Sequence, residues 1–188
     1  MKLMIASDIH GASNTCQQLL DAFHAEKADR LVLLGDLLYH GPRNDLPGSY
    51  GPKDVITQLN EMRDVLICVR GNCDAEVDQM VLDFPIMADY VLLEWQGHMI
   101  YATHGHHYNP HNPPPLQPGD ILLNGHTHVP AIQRYRPNGM DFLYLNPGSV
   151  TIPKNGSARG YMILDDAIYH KSLAGETLRR VTLEELGW

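Results

Sequence analysis

The stretch Leu3-Met4-Ile5-Ala6-Ser7-Asp8-Ile9-His10-Gly11 joins a short apolar run to ligand-type side chains and a glycine. An apolar run bounded by turn signals reads as a buried strand, so Asp8 and His10 stand at a strand's carboxyl end. The same pattern returns four times. The run 31–34 leads into Gly35-Asp36, and 65–69 into Arg70-Gly71-Asn72-Cys73-Asp74. The run 99–103 leads into His104-Gly105-His106, and 121–124 into Gly125-His126-Thr127-His128. In α/β sheets, ligands bind outside the carboxyl ends of the strands. Five strands thus deliver carboxylate, amide and imidazole groups to one edge.

Outward from these runs, the first 80 residues alternate strand and helix. Cys16, Leu19, Leu20 and Phe23 recur at i, i+3, i+4 and i+7, which is one helix face, with Ser13 as its N-cap. Pro52 suits a first helical turn, followed by a buried stripe of Val55, Leu59 and Met62. A short helix after Asp74 is expected to turn Val77, Met80 and Val81 inward. The alternation implies a parallel sheet with right-handed crossovers. Beyond about residue 87, strand patterns follow one another at 89–95, 98–104, 120–125, 130–136, 141–146, 160–165, 167–173 and 177–183. Asn138-Gly139 is a hairpin signal. So many strands call for two packed sheets with helices outside, in an α/β fold forming one domain over residues 1–188. The loops 40–52 and 106–118 are placed to rim the site.

Composition narrows the function classes. A hydrophobic content of 44% supports a large core, and no window of 18 uninterrupted apolar residues spans a membrane. The strand at the N-terminus is read as part of the fold and not a signal peptide. Three cysteines without C-x-x-C spacing suggest no disulfide framework, which fits a reducing cytoplasm. A formal charge of −8 argues against a nucleic-acid duplex as partner. It leaves room for a small phosphorylated substrate, because bound metal makes a site locally positive.

The donor set is nitrogen and oxygen only. It favours Mn²⁺, Fe or Zn²⁺ over copper or clusters, and disfavours an all-oxygen Ca²⁺ site. Asp-x-His spacing lets residues i and i+2 of a strand face the same way and grip one ion. His126 and His128 share that relation, and Asp36 suits a bridge because a carboxylate can touch two cations. Two ions about 3.5–4 Å apart clamp a displacement at phosphorus, and bound water can ionise near pH 7. His24, His98 and His170 lie outside the clusters and read as solvated or structural.

Asp8-Ile9-His10, Gly35-Asp36, Gly71-Asn72-Cys73-Asp74, His104-Gly105-His106 and Gly125-His126-Thr127-His128, in that order, resemble the signature of the calcineurin-like metallophosphoesterases. Residues 35–44, Cys73 and Asn146-Pro147-Gly148-Ser149-Val150 are similar to the compact bacterial YfcE-type phosphodiesterases. The resemblance implies a four-layer αββα sandwich of two mixed β-sheets flanked by helices. It implies that Asp8, His10, Asp36 and His128 hold one metal, and Asp36, Asn72, His104 and His126 a second, with Asp36, Asn72 and His104 catalytic. Arg43, Asn44, Asn72, Cys73 and His106 are candidate substrate contacts.

The expected activity is hydrolysis of a small phosphodiester by a hydroxide held between two divalent ions, Mn²⁺ first, with Fe, Zn²⁺ or Ni²⁺ as alternatives. Cys73 stands where the broader family commonly has His; a neutral thiol is a weak proton donor, so poor leaving groups should react slowly. His106 is the substitute acid to consider. The alternatives are a nucleotide or phosphoprotein monophosphatase and a non-catalytic scaffold of the same fold; a homo-oligomer is compatible with all three.

Overall fold

The computed structural model describes the backbone of residues 1–188 and every side chain except that of Asn138. Two mixed sheets pack face to face. The first has the order β11-β10-β9-β1-β2-β3, from β1 (Leu3–Ala6), β2 (Arg30–Leu33), β3 (Leu66–Cys68), β9 (Gly160–Leu164), β10 (Ile168–Ser172) and β11 (Thr177–Val181). The second has the order β4-β5-β6-β8-β7, from β4 (Val91–Trp95), β5 (His98–Ala102), β6 (Ile121–Leu123), β7 (Ala131–Tyr135) and β8 (Phe142–Asn146). Each of the eight strand patterns beyond residue 87 contains one of these strands. The Asn138-Gly139 signal falls in the turn that joins the antiparallel pair β7 and β8.

Strand alternation sorts the apolar residues into layers. Leu3 and Ile5 of β1 face the second sheet and pack with Ile100, Ile121, Leu123 and Leu143. Met4 and Ala6 face the other way, against the helices α1 (Ser13–Glu26) and α2 (Pro52–Glu61). The predicted stripe of Cys16, Leu19, Leu20 and Phe23 is buried there, as are Val55 and Leu59. Helices therefore cover the outer face of the first sheet. Over the second sheet the outer layer comes from the loop between β5 and β6, whose Tyr108 and Leu116 pack on Tyr101, Leu122, Phe142 and Tyr144. Among the described residues, no helix is long and apolar enough to cross a membrane.

Two local expectations are corrected. Ser13 is not the N-cap of α1: Ala12 occupies that position, and Ser13 Oγ donates to the Ser49 carbonyl at 3.1 Å. The helix after Asp74, α3 (Glu76–Gln79), is a single turn, and Val77, Met80 and Val81 point outward. Its inward residue is Gln79, whose amide bonds the backbone of Leu82, Phe84 and Ile86. Those three apolar side chains enter the core in its place.

The parallel strands place the site. β1, β2 and β3 run parallel in one sheet, and β5, β6 and β8 in the other. The loops carrying all seven candidate ligands leave the carboxyl ends of β1, β2, β3, β5 and β6.

Candidate metal centre

Asp8 and His10 converge by a different route from strand alternation. β1 ends at Ala6, and both residues lie in left-handed backbone, at φ +61° and +52°. Asp36, His126 and His128 are also left-handed, at +56°, +63° and +60°. Five of the nine non-glycine residues with positive φ are thus candidate ligands. Such conformations cost roughly 1–3 kcal/mol each and persist only where the surroundings impose them.

Neighbouring loops impose them. Asp8 N, His10 N and Gly11 N donate to the carbonyls of Gly35, Asp36 and Leu37, lacing the loops after β1 and β2 together. Asp74 clasps the loops after β2 and β3, accepting the backbone N–H groups of Asp36, Leu37 and Gly71 at 2.7–2.9 Å. Glycine is required at this junction. At Gly35, with φ +91°, a Cβ would lie 2.3 Å from Gly71 N; at Gly71 it would lie 2.1 Å from Asp36 Oδ1. The end of β8 and the segment after it support the rest. Ser149 Oγ and Thr151 Oγ1 donate to the carbonyls of Asp8 and Ile9, and Asn146 Nδ2 to that of Gly125. His126 N closes the ring by donating to Asp8 Oδ2 at 3.0 Å across the two sheets.

Three imidazoles are fixed by carbonyls behind them. His10 Nδ1 faces Tyr39 O at 2.8 Å, His104 Nδ1 faces Leu34 O at 2.6 Å, and His128 Nδ1 faces Ile152 O at 2.6 Å. A carbonyl only accepts, so each Nδ1 carries a proton, and in the neutral ring each Nε2 turns a lone pair inward. His10 Nε2 and His128 Nε2 stand 3.3 Å apart, and lie 3.6 and 3.2 Å from Asp8 Oδ1. Asp8 Oδ1 is buried and has no hydrogen-bond partner. On the other side, His104 Nε2 lies 3.1 Å from Asn72 Oδ1, 3.2 Å from His126 Nδ1 and 3.5 Å from Asp36 Oδ2. Asp36 Oδ2 is also 3.8 Å from His10 Nε2, so it stands between the two groups.

Carboxylate oxygens and neutral imidazole nitrogens so crowded call for a cation among them, a proton or a metal. An ion with ligand bonds of about 2.1 Å spaces neighbouring donors roughly 3.0–3.4 Å apart, so these residues fit a divalent metal. Burial alone would raise the Asp8 carboxyl; the imidazoles of His10 and His128 beside it hold it far below the usual range. Burial would lower His10, but Asp8 raises it above its ordinary value. A cation among these groups would take over that role from the proton.

A cleft of about 400 Å³ opens onto the centre, lined by Arg43, Asn44, Asn72, Cys73 and Lys154 together with His10, Asp36, His126 and His128. Arg43 and Lys154 are exposed, and neither pairs with a carboxylate among the described residues. Burial, then the charges of Asp36, Asp74 and Asp8, push the Cys73 thiol up to about 12, so it stays neutral at ordinary pH. His106 does not line this cleft. It lies behind His104 and His126, with ring centroids 5.3 and 6.2 Å away, and lines a second cleft. Burial and then the charge of His104 lower it to about 4, which makes it a poor acid at neutral pH. Lys154 and the supporting roles of Ser149 and Thr151 had no signal in strand-end spacing; Asp74 and Asn146 stood inside quoted motifs without a role.

Comparison with known proteins places the chain among phosphoesterases. The family described as the calcineurin-like phosphoesterase superfamily domain matches residues 1–167. Phosphodiesterase YfcE of Escherichia coli is 48% identical over 170 residues, covering 89% of each chain. The solved structure of that E. coli phosphoesterase superposes with a TM-score of 0.91 at 43% identity, covering 97% of this chain and 100% of that one. A probable metallophosphoesterase of Bacillus subtilis, YsnB, is 25% identical, covering 87% of this chain and 83% of its own.

Proposed function

This chain belongs to the calcineurin-like phosphoesterase superfamily, and on that premise we propose that it hydrolyses a small phosphodiester with two divalent ions held across Asp36. What supports the reading is a buried nest of donor atoms. Asp8 Oδ1 and the inward nitrogens of His10 and His128 face one another on rings fixed from behind, and Asp36 joins them to His104, Asn72 and His126. Bound there, two divalent ions would polarise the phosphoryl oxygens and lower the pKa of water to about 7.

The protein's own groups do the rest. Asp8 and Asp36 supply two negative charges, so a doubly loaded centre keeps a positive balance that attracts an anionic ester. The free cations Arg43 and Lys154 add to that attraction at the rim. Asn72 turns Oδ1 toward His104 and leaves Nδ2, now on Cys73 Sγ at 3.2 Å, able to donate to a phosphoryl oxygen. Cys73 is neutral and a weak donor, so no strong acid stands ready for an alkoxide leaving group. That favours esters whose leaving group departs without a proton. Mn²⁺ is the ion we assign first, and a reducing cytoplasm the setting.

A metal-by-substrate panel on stripped protein tests the reading. Restored turnover of an aryl diester with Mn²⁺, exceeding that of the matched monoester, is expected, along with two metal equivalents by elemental analysis. A protein that takes up no transition metal at any concentration, or prefers the monoester in every metal, overturns it.

A further inference from the structure

The turn of α3 presents an apolar face that the fold itself does not use. Gln79 takes the inside, so Val77 and Val81 stay outside, 64% and 43% exposed. Asn60 of α2 fixes the segment there. Its Nδ2 donates to the Val81 carbonyl at 2.9 Å, and its Oδ1 accepts from Asp83 N at 2.8 Å. The rings of Tyr39 and Tyr50 stand edge-on to His40, with centroids 4.8 and 5.4 Å from it. Together with Ile56 of α2, these four side chains line a cleft of about 440 Å³. Tyr39 is 41% exposed, and Tyr50 and Ile56 are half-buried, so each offers surface to a ligand.

This cleft adjoins the catalytic one. Cys73 lines both. Tyr39, whose ring lies in the apolar cleft, also accepts His10 Nδ1 on its carbonyl at 2.8 Å. A phosphorus held at the metal centre thus has an ester arm within reach of the apolar cleft. The chemistry changes across Cys73. On the metal side the lining carries the cations Arg43 and Lys154 and two amides; on the other it is tyrosine rings and aliphatic carbon. The charged residues there, Lys53 and Asp78, are opposite in sign, and Asp78 Oδ2 is already engaged by Ala75 N at 2.8 Å. The cleft therefore holds no unbalanced charge for an ionic arm. Its apolar surface suits a hydrocarbon, for which each methylene fully buried is worth about fourfold in affinity.

We infer that this cleft binds an uncharged hydrocarbon arm of the phosphoester, which passes over Cys73 to lie against Val77, Val81 and Tyr39. The substrate is then amphiphilic, with its phosphoryl group on the metals and its chain outside them. The inference rests on the diesterase reading and names a substrate class for it.

Two probes with a single arm test the cleft: n-hexyl phosphate and methyl phosphate, which share a head group and differ by five methylenes. Titrated calorimetrically into the Mn²⁺-loaded protein, hexyl phosphate should bind roughly tenfold more tightly or better. Val77→Gln/Val81→Gln alters two exposed side chains without adding charge, and should bring the two affinities within about twofold of each other. In the Zn²⁺-loaded protein, hexyl phosphate but not methyl phosphate should shift the ring resonances of Tyr39 and Tyr50. Equal affinities in the wild type, or an undiminished preference in the variant, overturn the subsite and leave the diesterase reading standing. A wild-type dimer that the variant splits, with equal affinities for the two phosphates, gives this face to a second copy and also overturns it. If neither phosphate binds the metal-loaded protein, the diesterase reading falls and the subsite falls with it.

Discussion

The two halves of the centre differ in depth and in charge. Asp8, His10 and His128 are at most 3% exposed, and they share their cavity with a second carboxylate, Asp36. On the other side Asn72 is exposed and His126 half-buried, and Asp36 is the only anionic donor besides neutral amide and imidazole. A cation in the inner group meets two negative charges screened from water; one in the outer group meets a shared charge in a more solvated place, where Coulomb attraction is weaker. The difference teaches that two sites built from similar residues need not hold their ions equally well. The inner one should fill first and empty last.

The sharpest break in this asymmetry is Asp36→Ala. It removes a carboxylate that stands between the two groups, so both occupancies should fall and diesterase turnover should drop roughly a thousandfold or more. Metal analysis beside kinetics checks it, and retention of two full equivalents would remove Asp36 from the bridge. Asn72→Ala should separate the halves. It should leave about one equivalent bound and lower turnover by roughly a hundredfold, and graded chelation of the unaltered protein should strip one ion well before the other. Loss of both ions together would erase the distinction drawn here.

Cys73→Ala reaches both halves but should disturb neither. Cys73 Sγ lies among ligand-type atoms of His10 and Asp36, but the oxygen and imidazole donors complete both groups without it, so an aryl diester should still turn over within about a fewfold of the wild-type rate. Abolished metal binding would make the sulfur a ligand. The smallest effect lies away from the centre, where Glu26 at the end of α1 binds Lys2, Lys171 and Tyr161. Burial would raise this carboxyl, but the hydrogen bonds from Lys171, Lys2 and Tyr161 hold it below its ordinary 4.5. Its stabilisation is therefore full above that value and disappears as pH falls through the lowered one. Glu26→Gln should lower Tm by a few degrees at most at neutral pH, equally with and without metal, with the gap closing in acid. A gap that widened in acid would reverse the sign assigned to Glu26.

How much of this was legible beforehand depended on what each residue answers to. The apolar runs that became β1, β2, β5 and β6 were readable because burial on both faces demands unbroken hydrophobicity. The convergence of the donors was readable because parallel strands send their carboxyl ends to one edge. Val77, Met80 and Val81 were misread because a helical spacing within one turn cannot tell an inward face from an outward one, and Gln79, a polar residue, took the inside by capping the backbone that follows it. Asp8 and His10 do converge, but not by the strand alternation expected of them. The two side chains meet through left-handed turns, a conformation that no alternation rule contains. Ser149 depends on a contact with the loop after β1, some 140 residues earlier, and Lys154 on the bond from its N–H to the His128 carbonyl; spacing along the chain carries no trace of either.

Those left-handed ligands have a further consequence. Glycine would sit at Asp8, His10, Asp36, His126 and His128 with less strain, and would not bring carboxylates and imidazoles face to face. Without an ion the fold would hold these conformations at a cost that binding to the native state would offset. Selection for hydrolysis and selection for sturdiness would then pull on the same few codons in opposite directions.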